Sequence, residues 1–97
     1  MWARIASFEG GDTDKLQKLN EERMQSGEMK PPDGMKHVLL LADSEKNRRM
    51  FVALFESRES LDAAEAGFEA MGDEIPEDIR GSRTGVDYYE VVFNEKM

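Results

Sequence analysis

Met35-Lys-His-Val-Leu-Leu-Leu-Ala42 and Met50-Phe-Val-Ala-Leu-Phe55 are two short apolar runs separated by Asp43-Ser-Glu-Lys-Asn-Arg-Arg49. Two such runs around a polar turn read as a β-hairpin. Neither run alternates cleanly between apolar and polar residues. A strand wet on one face alternates, whereas a nearly continuous apolar strand is covered on both faces. The chain's own helices can cover one face. In a chain of 97 residues the simplest cover for the other is the same face of a second copy.

Outward from the hairpin, each flank repeats one pattern. Upstream, residues 2 to 8 alternate large, small and polar side chains and stop at Gly10-Gly11, which predicts a first strand. Asp12 or Thr13 then offers a side-chain acceptor for a helix start, with Leu16, Leu19 and Met24 on a thin apolar stripe. Gly27 and Pro31-Pro32 end that helix, because proline has no N–H to donate and restricts the residue before it. Downstream, Ser57 is placed to cap a second helix. Leu61, Ala64, Phe68 and Met71 repeat at helical spacing up to Gly72. Residues 73 to 83 are polar, contain Pro76 and Gly81, and read as a loop with room for a short helical turn. Val86 to Phe93, with Tyr-Tyr-Glu-Val-Val-Phe, reads as the last strand.

The order strand, helix, hairpin, helix, strand is the split βαβ arrangement of a ferredoxin-like fold. The fold class is therefore α+β, a βαββαβ domain with a four-stranded antiparallel sheet that pairs with a second copy as a dimeric α/β barrel. Residues 1 to 97 form one domain, since this length leaves no room for a second core. An all-helical reading leaves the two β-rich runs unexplained.

The 13 basic residues face 21 acidic ones, a formal charge of −8, with the acids spread along the chain. Phosphate-backbone binding needs a basic face, so nucleic acid is excluded, and an anionic membrane surface would repel the protein for the same reason. The absence of cysteine excludes disulfides, thiolate metal sites and cysteine nucleophiles. The first ten residues lack a long apolar run, and no segment approaches the ~20 residues of a membrane span. A cytoplasmic location is the default expectation.

Short motifs along the chain resemble a known family. Phe8-Glu9-Gly10 after the first strand, Leu54-Phe55-Glu56-Ser57 at the hairpin's end, Glu59-Ser60-Leu61 at the second helix start and Tyr89-Glu90-Val91 near the close resemble the antibiotic-biosynthesis-monooxygenase-like superfamily. The resemblance spans nearly the whole chain. It implies a dimer whose sheets face each other, with helices outside and a ligand cleft between helices and sheet in each subunit. Haem-degrading members carry an Asn on the first strand, a Trp late in the third and a His on the second helix. The positions matching the first two hold Ala3 and Phe55, many other members carry a His early in the second helix where Ala64 stands here, and that helix has no His. The resemblance thus implies the fold without haem degradation, and no cofactor is expected. Cofactor-independent oxygenation of a phenol or quinol needs only an apolar cleft with a base or hydrogen-bond donor, and it stays open.

The single histidine, His37, is the first general-base candidate. Its face depends on hairpin register. With Met50 opposite Leu40 it shares the side of Ala53 and Phe55; a one-residue slip turns it to the opposite side. Tyr88 is the second candidate, as a phenol able to hydrogen-bond a ligand, with Tyr89 on the other face of its strand. Arg4, mid-strand between Trp2 and Ala6, either orients an anion or pairs with an acid such as Glu90 or one from a second copy. Ala3, Ile5, Phe51, Ala53, Phe55, Ala64 and Phe68 are expected to line the helix-side cleft. The acidic stretch of residues 72 to 78 lacks the ligand spacing of a calcium loop and reads as a solvated loop, so no metal site is expected. Arg48 to Phe55 superficially resembles a strand of RNA-recognition domains, but Val52 stands where a stacking aromatic belongs and the charge has the wrong sign.

Three functions fit these observations. One is a homodimer binding a small hydrophobic or aromatic molecule, another a cofactor-independent monooxygenase acting on a phenol or quinol, and the third a non-catalytic structural or regulatory dimer.

Overall fold

A computed structural model describes residues 1–26 and 32–95, with the side chains of Met24 and residues 71–73 outside the description. Strand β1 runs Trp2–Glu9, helix α1 Thr13–Ser26, β2 Met35–Asp43, β3 Arg48–Phe55, helix α2 Arg58–Glu74, the one-turn α3 Glu77–Arg80 and β4 Ser82–Glu90. The four strands form one antiparallel sheet in the order β2-β3-β1-β4. This is the ferredoxin-like α+β fold that the element order predicts.

Local chemistry sets the boundaries. Asp12 accepts from the Lys15 N–H at 3.1 Å and caps α1. At α2, Ser57 Oγ accepts from the Ser60 N–H at 3.1 Å, while Ser60 Oγ accepts from the Ser57 N–H at 3.3 Å. That reciprocal pair satisfies two donors at once, as in a capping box. The Gly27 and Pro31 expected to end α1 lie outside the described residues. The hairpin turn is tighter than predicted, since Arg48 and Arg49 belong to β3 and the reversal is completed by Asn47 at φ 49°. The last strand begins at Ser82 instead of Val86 and stops at Glu90, short of the predicted Phe93. Its partner β1 begins at Trp2, and one further bond runs from the Val91 N–H to the Met1 carbonyl at 2.9 Å.

Register decides what each face carries. Arg4 lies opposite Ala53 and Tyr88, and Val38 lies opposite Ala53 on the other side. Directly opposed residues share a face, so Trp2, Arg4, Ala6, Val38, Phe51, Ala53, Phe55 and Tyr88 look toward the helices. The core sits there: Ala53, Phe55, Leu61, Ala64 and Phe68, with Trp2, Met35, Phe51 and Tyr88 packed around it. Phe68 meets Phe51 and Phe55 edge-on, with ring centroids 6.2 and 6.0 Å apart.

The opposite face carries Ala3 and Ile5 of β1, His37, Leu39 and Leu41 of β2, Met50, Val52 and Leu54 of β3 and Tyr89 of β4. None of the helices described here covers it. Leu39 and Leu41 are 41 and 47 % exposed and Tyr89 55 %.

Arg49 holds one end of the molecule together. It shares the helix-facing row with Phe51 and Phe55 and is only 1 % exposed. Its guanidinium donates to Thr13 Oγ1 at 3.0 Å, to the Arg80 carbonyl at 2.8 Å and to the Gly10 carbonyl. It thereby ties the β1–α1 loop to the junction of α3 and β4. The chain passes so close that a Cβ on Gly11 or Gly81, at φ +80° and +83°, would fall 2.7 Å from an Arg49 nitrogen.

Candidate functional site

The helix-side face holds a polar cluster beside its aromatic core. Arg4, 3 % exposed, sits in the middle of β1 under α2. Its Nε donates to Glu65 Oε2 at 2.9 Å and its terminal nitrogen to Oε1 at 3.2 Å, a two-point contact, with Glu69 at 3.6 Å. The guanidinium also lies 4.7 Å from the centroid of the Phe68 ring. Arg83 of β4 pairs with Glu69 at 2.6 Å. The acids that Arg4 finds are thus those of α2, and neither Glu90 nor a second copy is needed. Arg4 is accordingly not a free cation for an anionic substrate.

Tyr88 adjoins this cluster. Burial pushes its phenol above the ordinary tyrosine range, and the hydrogen bond to ionised Glu65 pushes it the same way, so it stays protonated as a donor. For Glu65 burial acts upward, but hydrogen bonds from Arg4 and Tyr88 and the charges of Arg4 and Arg83 outweigh it and hold the carboxyl below the usual glutamate range. Arg58, at the start of α2, lies 5.1 Å from the Trp2 ring and 4.7 Å from that of Tyr88. It is bonded at 3.0 Å to Asp62 one turn on. Tyr88 therefore stands between a carboxylate at its hydroxyl and a cation at its ring.

The seven residues expected to line one cleft divide between the faces. Phe51, Ala53, Phe55, Ala64 and Phe68 come together on the helix side. Ala3 and Ile5 do not, because Ala3 is opposite Leu54 and Ile5 opposite Val52, which puts both on the open face. Ala53 and Phe55 are fully buried beneath α2 and form the floor of the site rather than its wall. The accessible apolar surface on this side is Val38, 41 % exposed, with Leu40 and Phe51 half-buried beside it. The helices leave this part of β2 incompletely covered.

His37 departs from the arrangement that would make it a base in that cleft. Leu41, not Leu40, lies opposite Met50, and the same register runs on to set His37 against Leu54, before the bulge that shifts Met35. It is exposed on the open face, on the other side of the sheet from Tyr88. The two candidates therefore belong to no common site. A depression on the open face, at the hairpin end, has Leu41 and Met50 among its walls with Glu9, Asp43, Lys46 and Arg48 around them. Among the described residues no group of three or more His, Cys, Asp or Glu side chains is placed to hold a metal. No helix among them is long and apolar enough to cross a membrane.

Sequence reasoning passed over Glu65, Glu69 and Arg58. Their signal was the position of Glu65 and Glu69 one residue after Ala64 and Phe68. At that offset they flank the buried stripe of α2 and reach a cation on the sheet below.

Fold and site define an α+β ferredoxin-like domain with the described helices on one side of the sheet and an apolar face on the other. A solved structure similar to it is a substituted form of MhuD with two manganese protoporphyrin IX molecules bound per active site. The two chains share 18 % identity with a TM-score of 0.63, and the match covers 100 % of each. At that identity the likeness is one of fold. No protein-family model matches the sequence, and no curated protein matches it.

Proposed function

We propose that the protein is a homodimer, joined through its open sheet faces, that binds a small hydrophobic or aromatic molecule between the helices and β2 and β3 of each subunit. The observation that carries the ligand reading is Val38. An aliphatic side chain on the helix-facing side of the sheet is 41 % exposed beside the edge-packed Phe51 and Phe68, so the aromatic core opens there to an apolar surface. Such surfaces with a few polar groups at their margin are the usual form of small-molecule sites. MhuD, which has the same fold, holds porphyrin.

A porphyrin iron is poorly served by these residues. The chain's one histidine is on the opposite face, α2 has none, and the Tyr88 hydroxyl is engaged by Glu65. The chemistry of the site suits a metal-free planar or aliphatic ligand instead. Arg4 and Glu65 neutralise each other two strands away beside Phe68, and Tyr88 lies at the opposite edge of the sheet.

The test is thermal unfolding against a panel of metal-free aromatic molecules, hydroquinones and anthrones included, with the unmodified chain and Val38→Glu. A ligand at about 100 times its Kd stabilises the folded state by about 2.7 kcal/mol. The unmodified chain should show such a rise in Tm and the variant should not, because its carboxylate would be desolvated by the ligand. An equal rise in both would place the ligand elsewhere. Recovery of the ligand unaltered supports a binding protein, whereas oxygen-dependent conversion would make it a cofactor-independent monooxygenase.

A further inference from the structure

Val92 and Phe93 are the most exposed large apolar side chains among the described residues, at 90 and 79 %. They belong to Val91-Val92-Phe93, whose β-branched and aromatic side chains favour a strand, yet β4 stops at Glu90. The Val91 N–H bonds the Met1 carbonyl at 2.9 Å, and Asn94 reaches only the Met1 sulfur, at 3.7 Å. The alternation of β4 carried past Glu90 puts Val91 and Phe93 in the row of Asp87 and Tyr89, the row on the open face.

We propose that residues 91 to 95 are an arm that docks on the second copy and completes the dimer interface, with Phe93 as its anchor. This rests on the dimer reading above and goes beyond it. Two quantities favour this occupant. Four strands of about eight residues, at about 3.3 Å per residue and about 4.8 Å between strands, offer a footprint of roughly 500 Å². A stable interface buries ~800 Å² per partner. The flat face falls short, and an aromatic side chain such as Phe93 adds on the order of 150 Å². The second quantity is charge. The chain carries −8, yet the inner strands of the open face hold apolar side chains, with charge at the margins, where Arg48 is paired with Glu9 at 3.3 Å and Asp87 stands on the edge strand opposite Ile5. A partner recognised by charge would find little there. A second copy meets an apolar match, with most of its acids held away on the helices.

The experiment compares sedimentation equilibrium of the unmodified chain, Val92→Ala with Phe93→Ala, and Val92→Asp with Phe93→Asp, beside far-UV circular dichroism. These side chains are nearly bare in a single copy, so the fold should be unchanged. The dimer Kd should rise at least tenfold in the alanine variant and about a hundredfold in the aspartate variant. Isotope-filtered NMR on a mixed labelled dimer should show the Phe93 ring against methyls of Leu39, Leu41, Val52 or Leu54 of the other copy. A dimer as tight in both variants as in the unmodified chain overturns the arm and leaves the sheet-to-sheet dimer standing. An unmodified chain that stays monomeric at about 100 μM overturns both.

Discussion

Replacing Arg49 by Met tests whether one buried cation closes the end of the fold. The aliphatic stem is kept and the guanidinium lost. Three hydrogen bonds go with it, to Thr13 Oγ1 and to the carbonyls of Gly10 and Arg80. Hydrogen bonds from a charged group are worth about 1.5–3 kcal/mol each, so the gross loss is roughly 4–9 kcal/mol. Against it stands release of the guanidinium's desolvation cost, several kcal/mol. That cost is the larger here because Nε is buried without a partner. The net expectation is a destabilisation of about 3 kcal/mol, or about 12–24 °C in Tm for a domain of this size. The assay is urea unfolding at one fixed protein concentration, since dimerisation would shift the midpoint by mass action. The midpoint should fall with little change in m. Arg48→Met is the control. Its side chain is more than half exposed and pairs only with Glu9, so it should move stability by no more than ~0.5 kcal/mol. An Arg49→Met protein within about 1 kcal/mol of the parent would refute the reasoning that this cation ties the loops.

Other consequences are open to direct measurement. Because Glu65 is held below the ordinary value of 4.5, its contribution to stability is complete above that value and is lost as pH falls below it through the lowered one; Glu65→Gln should therefore unfold with a flatter pH dependence between about pH 5 and pH 3, and an unchanged acid limb would argue that Arg4 does not hold the carboxylate ionised. Tyr88→Phe removes a donor to that carboxylate and should cost about 1 kcal/mol in chemical denaturation, with a loss near zero indicating that the bond is not made in solution. Val52→Glu or Leu54→Glu puts a charge in the middle of the open face; the dimer Kd should rise by about a hundredfold or more, from a desolvation cost of about 3 kcal/mol, and a dimer of unaltered affinity would move the interface to another surface. Gly81→Ala forces a Cβ to 2.6 Å from the Glu9 and Gly10 carbonyl oxygens at φ +83° and should cost about 2 kcal/mol or more in urea unfolding, whereas a neutral result would mean that the α3–β4 junction is not tightly closed.

Much of the architecture was legible in the order of elements. The hairpin runs, the Leu61, Ala64 and Phe68 spacing and the Ser57 cap all appear where their patterns place them. The apolar hairpin even announces its bare face, for Leu39, Leu41, Met50 and Val52 look away from the helices. What the pattern did not carry was register. A side-chain period of two means that a one-residue slip of the hairpin reverses every face without changing the apolar count, and Leu41 rather than Leu40 lies opposite Met50. That register puts His37, whose face the sequence leaves open, on the side away from Tyr88, while Ala3 and Ile5, read as cleft-lining, alternate along β1 with the helix-facing Trp2, Arg4 and Ala6. The ion cluster was hidden for a related reason. Arg4 and Glu65 are 61 positions apart, and only tertiary packing brings them to 2.9 Å. The sequence pattern also carries the last strand on to Phe93, three residues past the end of β4 at Glu90.

A dimer closed over one face of the sheet, with an apolar site on the other, can be tested in a single NMR measurement. A soluble paramagnetic probe broadens methyl signals in proportion to their contact with solvent. At a concentration above the dimer Kd the methyls of Leu39, Leu41, Val52 and Leu54 should be shielded while those of Val38 are broadened until an aromatic ligand is added. Open-face methyls broadened as strongly as Val38 at every concentration, with no ligand able to protect Val38, would contradict it.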